Sequence, residues 1–198
     1  MLGSITPLGE RGRGSRWWLT VVAYVVGSIV GAVALGASVG WLGAAVAPSG
    51  GAGVRFLALG LVVIAGLALD LGALSVRLPS VRRQVDEGWR ARYRGWVWGV
   101  GYGLQLGVGV VTIVTTSTVY ATWVAALVSG GVFAGAAIGA AFGLARALPV
   151  LSVAGVRRQD QLLRVDAVLG RLARPARRAT YATGAAVATV AFLGAVRW

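Results

Sequence analysis

The stretch Trp96–Val128 reads WVWGVGYGLQLGVGVVTIVTTSTVYATWVAALV, thirty-three residues without a formal charge. As a single α-helix it would be about 50 Å long, whereas the hydrocarbon core of a bilayer is about 30 Å thick. The stretch therefore predicts a membrane span whose excess length is taken up by tilt, by an interfacial extension or by a local break. Its segment from Thr112 to Thr122 is rich in hydroxyl groups. We expect any function inside the membrane to lie there.

The composition also favours a chain embedded in a bilayer. Of the 198 residues, 57% are hydrophobic and 13% are charged, whereas soluble domains carry about 25% charged residues. The net charge of +13 comes from nineteen arginines set against six acidic residues. Sixteen of these arginines fall in three polar segments between apolar runs. This distribution is typical of the positive-inside bias and of contact with anionic lipid headgroups, and it argues against nucleic-acid binding.

The sequence contains neither cysteine nor histidine. Within these residues this excludes disulfides, thiol redox chemistry, thiolate or imidazole metal sites, and Cys/His or Ser/His catalysis. No Walker loop and no carboxylate dyad is present, and the Gly-x-Gly-x-Gly at 99–103 sits inside an apolar run. We therefore predict a protein that is not an enzyme and that uses no cofactor and no metal.

Turn and charge signals divide the chain into a polar tail and one helical domain. Residues 1–16 form the tail, which we expect in the cytoplasm, and residues 17–198 form a single transmembrane domain. The fold class is an all-α integral membrane protein, because lipid offers no partner for an exposed backbone group. Five spans are predicted, at 17–47, 54–76, 96–128, 131–156 and 179–196.

The basic segments all fall on one side of this arrangement. The tail, residues 77–94 and residues 157–178 alternate with turns at 48–53 and 129–131, near which Arg55 is the only charge. The positive-inside rule then places the N-terminus in the cytoplasm and the C-terminus outside.

Both basic loops are predicted to be amphipathic and cytoplasmic. In the second loop, Leu162, Val165, Leu169 and Leu172 repeat every three or four residues. That spacing predicts a helix lying in the plane of the headgroups. For the loop at 77–94, such a helix and a solvated connection remain equally open.

Glycines recur at every fourth residue of the fourth run, at positions 131, 135, 139 and 143, and similar pairs occur in the first and third runs. Such rows let two helix backbones approach closely in lipid. Two interpretations are open. The rows serve tight packing within one subunit, or they form an interface with a second copy or a partner membrane protein.

Polar residues of the third run are spaced to share one slowly drifting helix face. They are Gln105, Thr112, Thr116, Tyr120 and Trp123, with Thr115 beside them. Exposure of amide and hydroxyl groups to acyl chains is costly, so this face should point into the bundle. It would serve hydrogen bonding between or within helices, or it would line a path for a ligand or ion.

Asp70 and Arg146 are the ionisable residues furthest inside the apolar runs. They would meet if the second and fourth helices pack together, or each would reach separately to the cytoplasmic interface. The complete set of candidate residues for a solute path is Gln105, Thr112, Thr115, Thr116, Tyr120, Asp70 and Arg146.

The order of these elements resembles the cytochrome c biogenesis/thiol–disulfide interchange transmembrane family. The resemblance is carried by Gly99–Gly109, by Gly143–Leu151 (GLARALPVL) and by the arginine-rich stretch before Ala179. It implies a six-span bundle made of two three-span halves, of which we expect the first span to be missing here. It also implies transfer of reducing equivalents through a cysteine in the first span and one in the fourth. Gly107–Thr116 contains no cysteine and no Thr-Pro-Cys, so the resemblance implies a member that has lost this chemistry.

We therefore expect a multi-pass protein of the cell membrane, and two functions are consistent with its sequence. The first is a transporter-like protein that binds or passes a small solute along the polar face of the third helix. The alternative is a non-catalytic accessory or scaffold subunit of a membrane complex. The predicted partners are anionic headgroups at the arginine loops and a membrane protein or second copy.

Overall fold

The computed structural model describes residues 16–46, 51–73, 94–109 and 117–197, together with residues 6, 7, 10 and 14. These residues fold into α-helices, without any strand among them. The helices are α1 (Trp17–Val46), α2 (Ala52–Asp70), α3 (Gly95–Val108), α4 (Thr118–Ser129), α5 (Val132–Ala147) and α6 (Gln159–Arg197), with a 3₁₀ helix (Leu148–Val153) after α5.

Four helical stretches in the described residues are long and apolar enough to cross a membrane. They are Trp17–Val46, Ala52–Asp70, Val132–Val153 and Asp160–Arg197. This confirms the prediction of an all-helical, multi-pass membrane protein. The predicted loop at 77–94 lies outside the described residues, apart from Arg94.

The third apolar run is divided between two helices, so the polar face predicted along it is not continuous. Helix α3 ends at Val108, the next residue Gly109 has φ +74°, and α4 begins only at Thr118. A left-handed backbone at glycine stops an α-helix, because the following N–H can no longer reach the carbonyl four residues back. Of the three explanations for the excess length of this run, the local break is the one that the structure adopts. Gln105 and Tyr120 therefore lie on different helices and share no face.

The second predicted span ends earlier than expected, at Asp70 instead of Val76. Gly72 takes φ +77°. Its N–H bonds to the Leu69 carbonyl at 3.0 Å, and the Ala73 N–H bonds to the Ala68 carbonyl at 2.9 Å. This pair of bonds is a Schellman motif, which satisfies the last carbonyls of a helix while turning the chain away.

The last span continues the helix that precedes it. Helix α6 runs without a break from Gln159 to Arg197 and includes Pro175, so the predicted surface helix at 157–178 and the predicted span at 179–196 are one element. At 1.5 Å per residue its length is about 58 Å, well beyond the bilayer core. The apolar spacing in residues 157–178 thus correctly predicted a helix. The prediction that this helix is separate from the span at 179–196 was wrong.

Helix α1 is the axis around which α3 and α5 pack through glycines. Added Cβ atoms at Gly27 and Gly31 would lie 2.5 Å from the Val100 carbonyl oxygen and 2.7 Å from the Leu104 carbonyl oxygen. Because these partners advance together along both chains, α3 runs parallel to α1.

The contact between α1 and α5 is antiparallel and equally close. A Cβ at Gly139 would collide with the Ala32 carbonyl oxygen, and one at Gly143 would lie 2.6 Å from the Ser28 carbonyl oxygen. The Ser28 hydroxyl also donates to the Gly143 carbonyl at 2.9 Å. The glycine row at 131–143 therefore serves packing within one subunit, which is the first of the two interpretations.

Helices α2 and α6 form a second, looser antiparallel pair. Here the glycines face side chains: Gly60 lies against the Phe192 ring, Gly184 against Leu67, and Gly194 against the Phe56 ring. Helix α4 joins this pair to α1, since Gly43 of α1 packs directly on the Leu127 backbone and Ser117 at the start of α4 bonds to Asp70.

Candidate functional site

A cavity of about 460 Å³ lies between α2, α4 and α6, with Ile138 of α5 at its side. Its size is within the usual range for small-ligand pockets. The side chains that line it are mainly apolar or hydroxyl-bearing. They are Leu59, Val63, Leu67, Asp70, Ser117, Thr118, Ala121, Thr122, Ala125, Ile138, Ala179, Thr180, Thr183, Gly184 and Val187.

One end of the cavity is defined by Asp70 and Ser117. Both oxygens of the Asp70 carboxylate accept the Ser117 backbone N–H, at 3.0 and 3.1 Å, and the Ser117 hydroxyl donates to Oδ2 at 2.8 Å. Ser117 is the N-cap residue that immediately precedes α4. The carboxylate of α2 therefore caps the N-terminus of α4, where the helix dipole stabilises negative charge.

The same end is closed by α6. The Tyr181 hydroxyl donates to the Asp70 backbone carbonyl at 3.1 Å. Arg177 in turn donates to the Tyr181 oxygen from Nη2 at 3.0 Å and from Nε at 3.3 Å, with its guanidinium 5.8 Å from the Tyr181 ring centre. A chain of hydrogen bonds thus joins three helices at the point where α2 ends and α4 begins.

Two of the lining threonines bond to their own helix. Thr122 Oγ1 donates to the Thr118 carbonyl at 2.8 Å, and Thr180 Oγ1 donates to the Ala176 carbonyl at 3.0 Å. Such bonds make a hydroxyl acceptable in an apolar setting. Both hydroxyls are thus satisfied within their own helices.

Arg146 lies in a different place, among aromatic side chains of the α1–α3–α5 group. Its guanidinium is 5.7 Å from the Phe142 ring centre and interacts electrostatically with Tyr24 and Tyr102. Tyr24 and Tyr102 stack at 5.8 Å between ring centres. Cation–π contact is a common way to hold a guanidinium in an apolar setting.

The predicted polar tail contributes a buried acid near this group. Glu10 is fully buried, and the Thr20 hydroxyl of α1 donates to its Oε2 at 3.0 Å. This part of residues 1–16 packs against α1, a contact that the sequence did not indicate.

The structure thus separates the predicted site residues. Asp70 lines the cavity. Arg146 lies among aromatic side chains and does not contact Asp70. Gln105 is half-buried on α3, and Tyr120 packs with Trp123 in the α1–α4–α5 core. Neither lines the cavity. Thr112, Thr115 and Thr116 lie outside the described residues.

Sequence reasoning missed Ser117, Thr118 and Tyr181. Ser117 and Thr118 are at the start of an apolar helix, where serine and threonine are favoured capping residues, and Gly109 upstream is a possible helix end. Those two signals together would have located the break. Tyr181 had no local signal, because its partner lies 111 positions away in the sequence.

These features define a class: a multi-pass helical protein of the cell membrane with an interrupted third apolar run. The chain belongs to the family described as "Cytochrome C biogenesis protein transmembrane region", which matches residues 2–194. This confirms the resemblance read from the sequence.

The chain is also similar to bacterial proteins named "Methylamine utilization protein MauF". It is 37% identical to that of Paracoccus denitrificans over 151 residues, which cover 74% of this chain and 54% of the relative. With the Methylophilus methylotrophus protein it shares 37% identity over 156 residues, 75% of this chain and 53% of the relative. The chain therefore spans about half the length of these relatives. No solved structure matches it significantly.

Proposed function

We propose that this protein is a non-catalytic accessory subunit of a membrane complex that serves a biogenesis pathway. The observation that carries the proposal is the family match over residues 2–194 in a sequence without cysteine. Transfer of reducing equivalents by thiols needs thiolate groups, so these residues would contribute binding and support, not redox chemistry. The name of the MauF relatives suggests methylamine utilization as the setting.

Co-purification from the native host tests this proposal. The tagged full-length protein, extracted in a mild detergent, should elute with a stoichiometric membrane-protein partner. A single monodisperse species with the mass of the tagged protein alone, free of any partner, would contradict the proposal.

The membrane orientation is part of the same proposal. We place the N-terminus in the cytoplasm and the C-terminus outside, with α3 and α4 together making one crossing and the arginines of 157–178 at anionic headgroups. Since the sequence has no cysteine, single-cysteine variants give unambiguous labelling. In intact cells, Ser129→Cys should react with a membrane-impermeant maleimide, whereas Gly155→Cys should react only after the membrane is opened. The reverse pattern would overturn the orientation.

A solute path is the second candidate, and the cavity beside Asp70 is the observation that favours it. The path would run along Asp70 and the hydroxyls of α4 and α6, and not along the face that Gln105 and Tyr120 were predicted to share. Thr112, Thr115 and Thr116 remain proposed members of this path. In a water-filled path, Ala121→Cys and Ala125→Cys should both react with a small charged thiol reagent. Failure of both to react, while Gly155→Cys reacts, would exclude it.

A further inference from the structure

The cavity is amphipathic along its length. Asp70 and Ser117 lie at one end, and Leu59, Ala125 and Val187 lie at the other. From Leu59 to Asp70 the α2 axis covers about 16 Å at 1.5 Å per residue. A ligand that fills this space must therefore combine an extended apolar body with one polar end.

A negative charge lines the polar end, and a positive charge lies beside it. The Asp70 carboxylate is half-buried and accepts hydrogen bonds only from Ser117 among the described residues. The Tyr181 hydroxyl accepts a hydrogen bond from Arg177 and donates one to the Asp70 backbone carbonyl, and the Arg177 guanidinium interacts electrostatically with Asp70. Arg177 is exposed on α6, and a guanidinium has five N–H donors, of which two are directed at Tyr181. A carboxylate and a guanidinium thus lie near the same end of the α2–α6 pair, linked through Tyr181 and the Asp70 backbone carbonyl, and each has capacity for a further partner.

The cavity is open to the outer surface of the bundle. Thr183 and Val187 line it and are also exposed, Val187 to 40%. They belong to α6, the helix at the edge of the described bundle, whose nearest neighbour is α2. For a protein that lies in a bilayer, a surface left open by the described helices is accessible to lipids.

We propose that this cavity binds one phospholipid whose headgroup carries both an ammonium and a phosphate group. The ammonium donates to the Asp70 carboxylate, the phosphate accepts from Arg177, and one acyl chain lies along Leu59, Val63 and Val187. This site is distinct from the electrostatic contact of the arginine loops with anionic headgroups. It also does not depend on the accessory function, because it rests on the cavity and its charges alone.

The charge pattern favours this occupant over the obvious competitors. A lipid with a purely anionic headgroup would place its phosphate beside the Asp70 carboxylate, and like charges repel. A small soluble cation would match Asp70 but would leave the apolar end of the cavity unfilled. A quaternary ammonium would keep the charge and lose the N–H donors that a carboxylate prefers.

Native mass spectrometry of the full-length protein tests the proposal. The probes are phosphatidylethanolamine, phosphatidylcholine and phosphatidylglycerol with identical acyl chains, added to the delipidated protein in mild detergent. The wild type should retain phosphatidylethanolamine about tenfold more strongly than phosphatidylglycerol, since a hydrogen bond to a charged group contributes roughly that factor. Phosphatidylcholine should fall between them.

Three variants assign the contacts. Arg177→Gln should weaken retention of phosphatidylethanolamine, whereas Arg178→Gln, the matched control on the next exposed position, should not. Asp70→Asn should abolish the preference over phosphatidylglycerol. Ala121→Leu, which fills the cavity from α4, should reduce retention of all three lipids.

The proposal is overturned if the wild type retains phosphatidylglycerol as strongly as phosphatidylethanolamine. It is equally overturned if Arg177→Gln and Arg178→Gln behave alike. Because Arg177 is exposed, its replacement leaves the fold intact, so this comparison holds even if Asp70→Asn unfolds the protein. Binding of ethanolamine phosphate without acyl chains, in competition with the lipid, would assign the site to a soluble ligand and would also overturn it.

Discussion

The two helix groups of this protein use glycine in different ways. Where α1 meets α3 and α5, glycines face backbone atoms: a Cβ at Gly31 would lie 2.7 Å from the Leu104 carbonyl oxygen. Where α2 meets α6, glycines face flexible side chains: a Cβ at Gly184 would lie 3.2 Å from a methyl group of Leu67. Backbone atoms of a packed helix cannot move aside, whereas a leucine side chain can rotate. The first group is therefore a rigid scaffold, and the cavity belongs to the second, more adaptable group.

The largest predicted loss of stability comes from a substitution in the rigid scaffold of α1, α3 and α5. Gly103→Ala would drive a methyl group into the Tyr24 carbonyl and to 2.9 Å from the Ser28 nitrogen. We expect a loss of about 3 kcal/mol, or no folded protein, because overpacking against backbone cannot relax. Thermal unfolding in detergent measures it, with Gly155→Ala as the control. An unchanged melting temperature would mean that the scaffold is not rigid.

The next largest loss of stability is expected at the contact between Asp70 of α2 and Ser117 before α4, which we call the junction between the two groups. Asp70→Ala removes the cap of α4 and leaves the buried Ser117 N–H without its carboxylate acceptors. Loss of a helix cap and of a buried acceptor should lower the free energy of unfolding by about 2 kcal/mol. Ser117→Ala, which removes only the hydroxyl bond, should cost about half as much. Equal effects of the two variants would contradict a capping role for the carboxylate.

A smaller effect is expected inside the adaptable group. Gly184→Ala places a methyl group against the Leu67 side chain at 3.2 Å, which rotation of Leu67 can relieve. We expect a loss of about 1 kcal/mol at most, well below that of Gly103→Ala, since mild overpacking at a flexible neighbour is inexpensive. The same thermal unfolding assay compares the two. A loss as large as that of Gly103→Ala would erase the difference between the groups.

The smallest predicted loss of stability comes from removing the Tyr181 hydroxyl on α6. Tyr181→Phe removes the donor to the Asp70 carbonyl and the acceptor for Arg177. Because Tyr181 is partly exposed, water can replace these bonds, and the loss should be about 0.5 kcal/mol. Chemical unfolding in mixed micelles resolves such a difference. A loss above that of Asp70→Ala would place the centre of the junction at Tyr181 instead.

The membrane class and most span positions could be predicted from the sequence, because apolar length and arginine placement report directly on the bilayer. The runs at 17–47 and 131–156 correspond closely to α1 and to α5 with its 3₁₀ extension. Span ends were less predictable. The end of α2 at Asp70 depends on Gly72, and the end of α3 depends on Gly109, two glycines among 31. Composition does not tell which glycine adopts a positive φ.

The site was predicted in part. Asp70 stood out as an acid inside an apolar run, and it does line the cavity. Of the two arrangements left open for Asp70 and Arg146, the structure does not adopt the direct encounter, because Arg146 packs among aromatic side chains instead. The polar face of Gln105 and Tyr120 assumed a continuous helix, and the break at Gly109 removed that assumption. Spacing arguments hold only within one unbroken helix.

Hydrogen–deuterium exchange of the protein in lipid nanodiscs tests the division into two groups most directly. Local opening of a helix reports how tightly its neighbours hold it. We predict that amides of α1, α3 and α5 exchange at least about tenfold more slowly than those of α2 and the membrane half of α6. Equal protection across both groups, or slower exchange in α2 than in α1, would contradict the rigid scaffold and the adaptable cavity beside it.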